Sequence, residues 1–382
     1  MTPGQTARAL APAIAARAAE IEAARRLPAD IAASLAAAGL FRLTIPKSLA
    51  GLESTPAEFF ETLEILGAAD AATGWCAMIA NTTALGSAWL AEPHATAIFA
   101  DPHVITGGVF APMGKAVSDG DGYIVSGRWA WASGSTNCHW LVGGALIFDD
   151  GTLRTLPNGS PDHRMMVFDA RDVQRIDTWD ASGLRGTGSG DMSVTNLRVP
   201  KARSLSFVTD RPAATGPLYA FPPFGLLALG IAAVASGNAL GALADFKALA
   251  TARKAAGSAR VLAERGAIQA EYARADAALE SARALVARDI ATAWHLATTG
   301  QPLDLATRAR LRLAATHLVR TAADVTRTAY DMAGGTAVYA ASPLQRRFRD
   351  AHVATQHMMI APPTYELTGR ILLGLPTDDM AL

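Results

Sequence analysis

Apolar residues recur at helical spacing over the first 100 residues of the chain, so the pattern there predicts helices. Phe59, Leu63 and Leu66 follow Pro56 and lie three or four residues apart, on one face of a helix. Proline fits the first turn of a helix because the N–H that it lacks would have no helical partner there. We therefore expect an N-terminal helical domain over residues 1–100.

The pattern changes near Asp101, where helical stretches give way to short apolar runs separated by turn residues. The sequence Asp-Gly-Asp-Gly at 119–122 is typical of a hairpin turn, and the alternating run after it indicates a strand. Further short runs continue as far as Val208. This spacing predicts a small β-barrel or sandwich domain over residues 101–210.

After a linker rich in proline and glycine, the chain returns to helical periodicity. The C-terminal domain is predicted over residues 221–382. Its four segments have the length and apolar spacing of a four-helix bundle: 224–252, 257–299, 303–334 and 342–374. Pro362-Pro363 is expected to break or kink the last segment, because proline cannot continue the helical hydrogen-bond pattern.

The composition fits a globular protein of two or three packed units. The chain has 382 residues, of which 50% are hydrophobic and 18% are charged. Lys plus Arg and Asp plus Glu number 34 each, so no basic excess indicates a nucleic-acid partner. Cys76 and Cys138 have neither the spacing of a metal site nor that of a disulfide framework, which suits a reducing cytoplasm.

One segment, Gly225 to Ala244, has no charged residue over about the length of a membrane span. It is mostly Ala, Gly and Leu, so its hydrophobicity is weak, and we favour a helix buried in the bundle or in a subunit interface. The Ala-rich N-terminal run is interrupted by Arg8, Arg17 and Glu20. It is therefore expected to form an amphipathic helix and not a signal peptide.

Four motifs, by their order and spacing, resemble segments of the acyl-CoA dehydrogenase superfamily over nearly the whole chain. They are Trp131-Ala132-Ser133-Gly134, Gly183-Leu184-Arg185-Gly186-Thr187-Gly188-Ser189, Thr251–Gly257 with Gln269, and Tyr330-Asp331-Met332-Ala333-Gly334-Gly335. The resemblance implies an α+β fold with N-terminal helices, a central β domain and a C-terminal four-helix bundle. It also implies a homotetramer that binds flavin between the β domain and the bundle.

The first two motifs look closest to the flavin-dependent monooxygenase branch of that superfamily, as does Arg349-Asp350 with a His eight residues after the Arg. This branch contains the oxygenase components of two-component hydroxylases. The resemblance implies that a separate flavin reductase supplies reduced FMN or FAD, and that O₂ then adds to give a C4a-hydroperoxide. The implied substrate is a small aromatic or heteroaromatic compound, similar to a phenol or an indole.

His357 is the first candidate catalytic residue. Dehydrogenases of the superfamily place a carboxylate near this point to remove a proton from an acyl thioester, but no Asp or Glu lies between Asp350 and Glu366. Because the unperturbed pKa of His is near neutrality, His357 suits protonation of the flavin peroxide or removal of a proton from the aromatic substrate. The alternative is a structural histidine buried against the bundle.

Ser133 is the second candidate catalytic residue, because the resemblance places it against the flavin or the substrate. A hydroxyl both donates and accepts, so it can meet the flavin in several redox states. The alternative is an ordinary serine at a strand end. Trp131 and Trp129 are expected on one face of a strand, where one packs against the flavin ring or both belong to the β core.

The resemblance implies five further site residues. Trp75 and Asn81 would line the substrate pocket. The alternatives are that Trp75 only packs between helices and that Asn81 is a solvated amide. Arg253 would bind cofactor phosphates together with Gly334 and Gly335, since Arg matches phosphate geometry and Gly lets backbone N–H groups approach closely. In the superfamily this Arg often reaches a cofactor in a neighbouring subunit. The alternative for Arg253 is a solvated charge.

Two other functions remain open. A true acyl-CoA dehydrogenase or oxidase would need a carboxylate base, and Glu366 is the nearby candidate. A non-catalytic relative would use the bundle as a binding or scaffold module. The sequence contains no GxGxxG after a predicted strand, no P-loop, no nucleophile elbow and no Cys/His metal set, so it predicts no metal site.

Overall fold

The computed structural model describes residues 1–254, 260–377 and 382. The start predicted for the second bundle helix, at residue 257, lies outside the described residues. The end of the Thr251–Gly257 motif also lies outside them.

Six α-helices lie within residues 1–99, all of which the structure describes. They are α1 (Pro3–Ala16), α2 (Ala18–Ala24), α3 (Ala29–Ala37), α4 (Pro56–Ala69), α5 (Ala71–Ala84) and α6 (Glu92–Phe99). The Thr55 hydroxyl caps α4 by accepting from the N–H of Glu58, whose carboxylate accepts in turn from the N–H of Thr55. Asp70 caps α5 by accepting a 2.8 Å hydrogen bond from the N–H of Thr73. This cap fixes the start of the helix that carries Trp75.

A mixed sheet follows, with strands β1 (Thr106–Asp119), β2 (Gly122–Trp129), β3 (Trp140–Asp149), β4 (Thr152–Leu153), β5 (His163–Asp169), β6 (Gln174–Ile176), β7 (Asp191–Pro200) and β8 (Ser204–Leu205). The strand order is β6-β7-β2-β1-β3-β5-β8, with β4 paired to β3. β1 and β3 are parallel, and the other pairs are antiparallel.

The indole of Trp129 lies in the core of the sheet. It is fully buried, and its Nε1–H donates a 2.7 Å hydrogen bond to the carbonyl of Gly144. A Cβ at Gly127 or Gly143 would come within 2.6 or 2.7 Å of this ring. Glycine at both positions therefore makes room for the indole.

β2 ends at Trp129, so the prediction that Trp129 and Trp131 share one strand face is wrong. Trp131 has a left-handed backbone with φ +67° and is 63% exposed. The chain turns here because the N–H of Ala132 donates a 2.9 Å hydrogen bond to the carbonyl of Gly190, in the loop before β7. This turn separates the exposed indole from the buried one.

The rest of the chain is helical, with α7 (Pro217–Ala220), α8 (Pro223–Ala252), α9 (Gly266–Thr298), α10 (Leu305–Ala333), α11 (Pro343–Ala354) and α12 (Pro363–Leu372). The helices α8, α9, α10 and α11 pack against one another as a bundle. The last predicted segment, 342–374, is broken as expected, and a new helix starts at Pro363, but the break begins earlier than Pro362-Pro363. α11 already ends at Ala354, and a 3-10 turn over Met358–Ile360 precedes α12.

α8 contains the charge-free segment noted in the sequence. By length and composition this helix could cross a membrane, yet 89% of its most apolar window is buried inside the protein. Its polar side chains are also used within the fold. Ser236 donates a 2.5 Å hydrogen bond to Glu64, and Asn238 donates one of 2.9 Å to the carbonyl of Arg347. These contacts make α8 a core helix, as the sequence favours.

The succession of helices, sheet and helices confirms the predicted α+β class and its three-part architecture. The change from helix to strand falls between Phe99 and Thr106, and the change back falls between Leu205 and Pro217. The domain boundaries given above stay predictions. α5 contacts β1 of the sheet and both α8 and α11 of the bundle, so it lies where the three parts meet.

Candidate active site

Trp75, on α5, occupies the space between the sheet and the bundle. Its buried ring meets the imidazole of His357 edge-on, with ring centroids 5.8 Å apart and an interplanar angle of 61°. Its Nε1–H donates a 3.2 Å hydrogen bond to Oγ of Ser133. Trp75 therefore joins the two predicted catalytic residues into one contiguous group.

His357 lies beyond the end of α11, at the start of the 3-10 turn. Its Nδ1 accepts a 3.2 Å hydrogen bond from the N–H of Met359. Because that N–H can only donate, the proton of the neutral imidazole is on Nε2. The ring is thus fixed by its own backbone cap and by the edge of Trp75.

The environment of His357 keeps its ring neutral. Burial, and then the positive charge of Arg312, lower the pKa of His357 to about 4. The expectation of a pKa near neutrality is therefore wrong, because the site removes the water that would solvate an imidazolium. At neutral pH His357 offers a neutral Nε2–H donor.

Ser133 belongs to a buried chain of three hydroxyls. Its Oγ lies 2.6 Å from Oγ of Ser189, which lies 2.6 Å from Oγ1 of Thr187. Thr187 donates a 2.8 Å hydrogen bond to the carbonyl of Leu184. Two loops that are far apart in sequence, one after β2 and one before β7, supply these hydroxyls.

Trp131 lies next to Ser133 and exposes its indole. Backbone hydrogen bonds hold this segment in place: the N–H of Ser133 donates to the carbonyl of Trp131 (2.9 Å), and that of Gly134 donates to Thr187 (2.8 Å). An exposed aromatic ring beside a buried hydroxyl fits a planar aromatic ligand, because rings stack with their faces offset and the hydroxyl meets a polar ring edge. These residues therefore fit the predicted flavin ring.

The predicted phosphate site is a second, separate group. A guanidinium nitrogen of Arg253, at the end of α8, lies 3.5 Å from the carbonyl of Ala333, directly before Gly334 and Gly335. Among the residues that the structure describes, nothing lies within 4 Å of where a Cβ would stand on either glycine, so this side of their backbones is open to a ligand. The structure thus brings Arg253 and the glycine pair together.

The phosphate group is far from His357. Arg312, near the start of α10, donates to the carbonyl of Met359 beside His357, whereas the glycine pair follows the end of the same helix. A helix rises about 1.5 Å per residue, so about 30 Å of α10 separates the two groups.

Asn81 has a structural role, contrary to the predicted substrate contact. The side chain is fully buried, and its Oδ1 accepts a 2.8 Å hydrogen bond from the N–H of Leu43. Its Nδ2 donates to the carbonyls of Leu40 and Ala77, both at 2.8 Å. Both hydrogens of the amide are used, so Asn81 holds the chain after α3 against α5.

Glu366, the base of the alternative dehydrogenase function, is exposed in the first turn of α12. An exposed carboxylate at a helix N-terminus interacts favourably with the helix dipole, which accounts for its position. His357 thus lies against Trp75 at the junction, where the alternative function would require Glu366.

Three polar residues next to the group were not predicted as site residues. Thr187 and Ser189 stand in the glycine-rich motif before β7, and the alternation of glycines with hydroxyls was the available signal. Asp350, the third of these residues, lies on α11. It is buried and accepts a 2.6 Å hydrogen bond from the N–H of Leu184, in the same loop.

Comparisons with known proteins place the chain in one family. The family model described as the N-terminal domain of acyl-CoA dehydrogenase matches residues 4–92, and the model of the C-terminal domain matches residues 229–362. Indole-3-acetate monooxygenase of Pseudomonas putida is 33% identical over 361 residues, which cover 94% of this chain and 90% of that relative.

Two further relatives carry flavin-related descriptions. The flavin-dependent monooxygenase oxygenase subunit HsaA of Rhodococcus jostii (strain RHA1) is 28% identical, over 97% of this chain and 98% of that one. The structure of XiaF from Streptomyces sp., in complex with FADH2 and glycerol, superposes with a TM-score of 0.89. It is 25% identical and covers 98% of this chain and 95% of its own.

Proposed function

The chain belongs to the acyl-CoA dehydrogenase superfamily, among its flavin-dependent monooxygenases, and on this premise we propose that it hydroxylates an indole-like heteroaromatic compound. It is an oxidoreductase, the oxygenase component of a flavin-dependent monooxygenase that acts on small aromatic compounds. The reduced flavin comes from a separate reductase.

The observation that carries the proposal is the contiguous group of Ser133, Trp75 and His357 at the junction of sheet and bundle. A bound reduced flavin would supply the activation of O₂ at this site. Ser133 would meet the polar edge of its ring, and the exposed indole of Trp131 would pack against its face. His357 would hold its Nε2 proton toward the substrate, and the apolar wall of Trp75 would exclude water.

The substrate is an indole bearing a short side chain. The support is the name of the relatives at 33% and 31% identity, both indole-3-acetate monooxygenases. The neutral Nε2–H of His357 is a suitable donor to an oxygen of the substrate or of the reacting dioxygen.

The assembly is a cytoplasmic homotetramer in which Arg253, Gly334 and Gly335 bind the phosphates of a flavin held by a neighbouring subunit. The separation of about 30 Å along α10 supports this arrangement, since one small cofactor does not span it. Val338 and Tyr339, just beyond the glycine pair, are 62% and 70% exposed. Such apolar exposure suits a subunit contact. The flavin is FMN or FAD. Only FAD has an adenine half that the group of Arg253, Gly334 and Gly335 would bind.

The test is a single turnover with labelled oxygen. The protein is loaded anaerobically with reduced FMN or, separately, reduced FAD, and then mixed with ¹⁸O₂ and indole-3-acetate. The expected product carries one ¹⁸O atom, and its yield exceeds that of free reduced flavin. If phenol or resorcinol gave a product and indole-3-acetate gave none, the indole assignment would be overturned. If every aromatic compound gave only a quantitative yield of H₂O₂, the monooxygenase assignment itself would be overturned.

A further inference from the structure

The hydroxyl chain behind Ser133 has a definite direction. Each hydroxyl has one hydrogen to donate, whereas an indole N–H can only donate and a carbonyl can only accept. The chain starts at the Nε1–H of Trp75, which donates to Ser133 at 3.2 Å. It ends at the carbonyl of Leu184, which accepts from Thr187 at 2.8 Å. The carbonyl end sets the direction of the chain, because Oγ of Ser133 has two lone pairs and accepts from Trp75 in either direction.

The hydrogens follow from the far end. Thr187 uses its hydrogen on the carbonyl of Leu184, so its Oγ1 can only accept from Ser189, 2.6 Å away. Ser189 has then used its hydrogen, so its own Oγ can only accept from Ser133, also at 2.6 Å. Ser133 has in turn used its hydrogen on Ser189. After it also accepts from Trp75, one lone pair remains on its oxygen and no hydrogen.

The direction is protected by burial. Ser133, Ser189 and Thr187 are each no more than 4% exposed, so bulk water does not compete for these hydrogens. The loop of Thr187 is also tied at its start, where the N–H of Leu184 donates 2.6 Å to the buried Asp350. Reversing the chain would take the Thr187 hydrogen from the carbonyl of Leu184, which also accepts from Nε1 of Trp179. It would also leave the hydrogen of Ser133 without an acceptor among the described contacts, at the cost of an unpaired buried donor.

We propose that Thr187 and Ser189 are positioning residues that make Ser133 an obligate acceptor and thereby make the site select reduced over oxidised flavin. This inference rests on the proposed function, which places Ser133 at the polar edge of the flavin. Reduced flavin carries a hydrogen on N5, which an acceptor binds. Oxidised flavin has a lone pair and no hydrogen on N5, so the lone pair of an acceptor repels it.

The test compares flavin affinities of matched variants. Thr187→Val removes the hydroxyl and keeps the shape, whereas Thr187→Ser keeps the hydroxyl. Ser189→Ala breaks the chain at its centre, and Thr326→Val removes a fully buried hydroxyl from α10, outside the chain. The dissociation constants for reduced and for oxidised flavin are measured anaerobically, and their ratio is the readout. A variant that only loosens the fold weakens both affinities together and leaves the ratio unchanged.

Wild type is expected to prefer reduced flavin. Thr187→Val and Ser189→Ala should each lower this preference about tenfold, the loss of about one hydrogen bond. The midpoint potential of bound flavin should fall with it, by about 30 mV for a two-electron couple. Thr187→Ser and Thr326→Val should keep the wild-type ratio and potential.

An unchanged ratio in both Thr187→Val and Ser189→Ala would overturn this inference while leaving the monooxygenase intact. Should one of them fail to fold, the other decides. A wild type that binds neither form of FMN or FAD would overturn the proposed function and this inference together.

Discussion

The carboxylate of Asp350 accepts a 2.6 Å hydrogen bond from the backbone N–H of Leu184, and this bond joins α11 to the loop before β7. The two chains also lie in close backbone contact, because a Cβ on Gly183 would collide with the carbonyl of Arg349. Leu184 itself has a left-handed backbone, with φ +49°. The loop that orders the hydroxyls behind Ser133 is thus held by the helix that leads to His357.

Asp350→Asn should remove part of the pH dependence of stability. Burial raises the pKa of Asp350 to about 7, with a further increase from Asp70 and opposing effects of the Leu184 N–H and Arg346. Between about pH 4 and 7 the folded protein keeps a proton that the unfolded chain has lost. The free energy of unfolding therefore falls as the pH rises through this window and levels off above it.

The Asn variant lacks this slope because its amide still accepts from Leu184 but does not ionise. It should equal wild type near pH 4 and exceed it by roughly 2–4 kcal/mol at pH 8, as measured by urea unfolding. Asp331→Asn, an exposed exchange of the same kind, should keep the wild-type slope. Parallel pH profiles for Asp350→Asn and wild type would contradict the prediction.

His357→Ala should uncouple oxygen consumption from hydroxylation while leaving flavin bound. Because the pKa of His357 is lowered to about 4, the ring acts as a neutral donor, and its loss removes one hydrogen bond. Such a bond contributes about 1–1.5 kcal/mol, so product per O₂ should fall about tenfold and H₂O₂ should rise to match. Product and peroxide are both measured in single turnovers.

His352→Ala is the matched control, because His352 is exposed on α11 and its Nδ1 contacts the carbonyl of Phe348 at 2.8 Å. It should keep the wild-type coupling. The wild-type product yield should also show no ionisation of His357 between pH 6 and 8. A step in that range that disappears in His357→Ala would contradict the neutral-donor role.

The three-part order of the fold could be predicted because each part has its own apolar period, which is a local property of the chain. The end of α11 could not. Thr355, Gln356 and His357 do not by themselves break a helix, and the helix stops where the ring of His357 caps the next turn by accepting from Met359. The end of α11 therefore depends on where the fold places the side chain of His357.

The chemistry of the site was predictable in its residue types and not in its details. The motif containing Ser133 and the motif containing Ser189 each resembled a known family, but their contact spans 56 positions of sequence. The direction of the hydroxyl chain depends on that contact. In the same way, Asn81 was expected to face the substrate because a helix pattern does not show which buried carbonyls a side chain will reach.

Asn81→Ala should destabilise the protein without changing its ligand affinities. It removes three hydrogen bonds and leaves the buried N–H of Leu43 unpaired, a cost of about 2–4 kcal/mol. The midpoint of urea unfolding should fall accordingly, while folded protein binds reduced flavin and indole-3-acetate as wild type does. Gln269→Ala removes one exposed amide contact and should change neither the midpoint of urea unfolding nor the ligand affinities. A selective loss of indole-3-acetate affinity in Asn81→Ala would restore its role at the substrate.

Glu366→Gln tests the dehydrogenase alternative directly. The carboxylate is exposed in the first turn of α12, so its neutralisation should cost no more than about 1 kcal/mol of stability through the helix dipole. Hydroxylation of indole-3-acetate should proceed as in wild type.

A dehydrogenase would instead bleach its bound oxidised flavin when mixed anaerobically with an acyl-CoA, and would lose that reaction on losing its base. We expect no bleaching in either protein, because at the junction the neutral ring of His357 lies against Trp75, and a neutral N–H donor does not remove a proton from a thioester. Bleaching in wild type that Glu366→Gln abolishes would mean that α12 moves into the site and that the monooxygenase assignment fails.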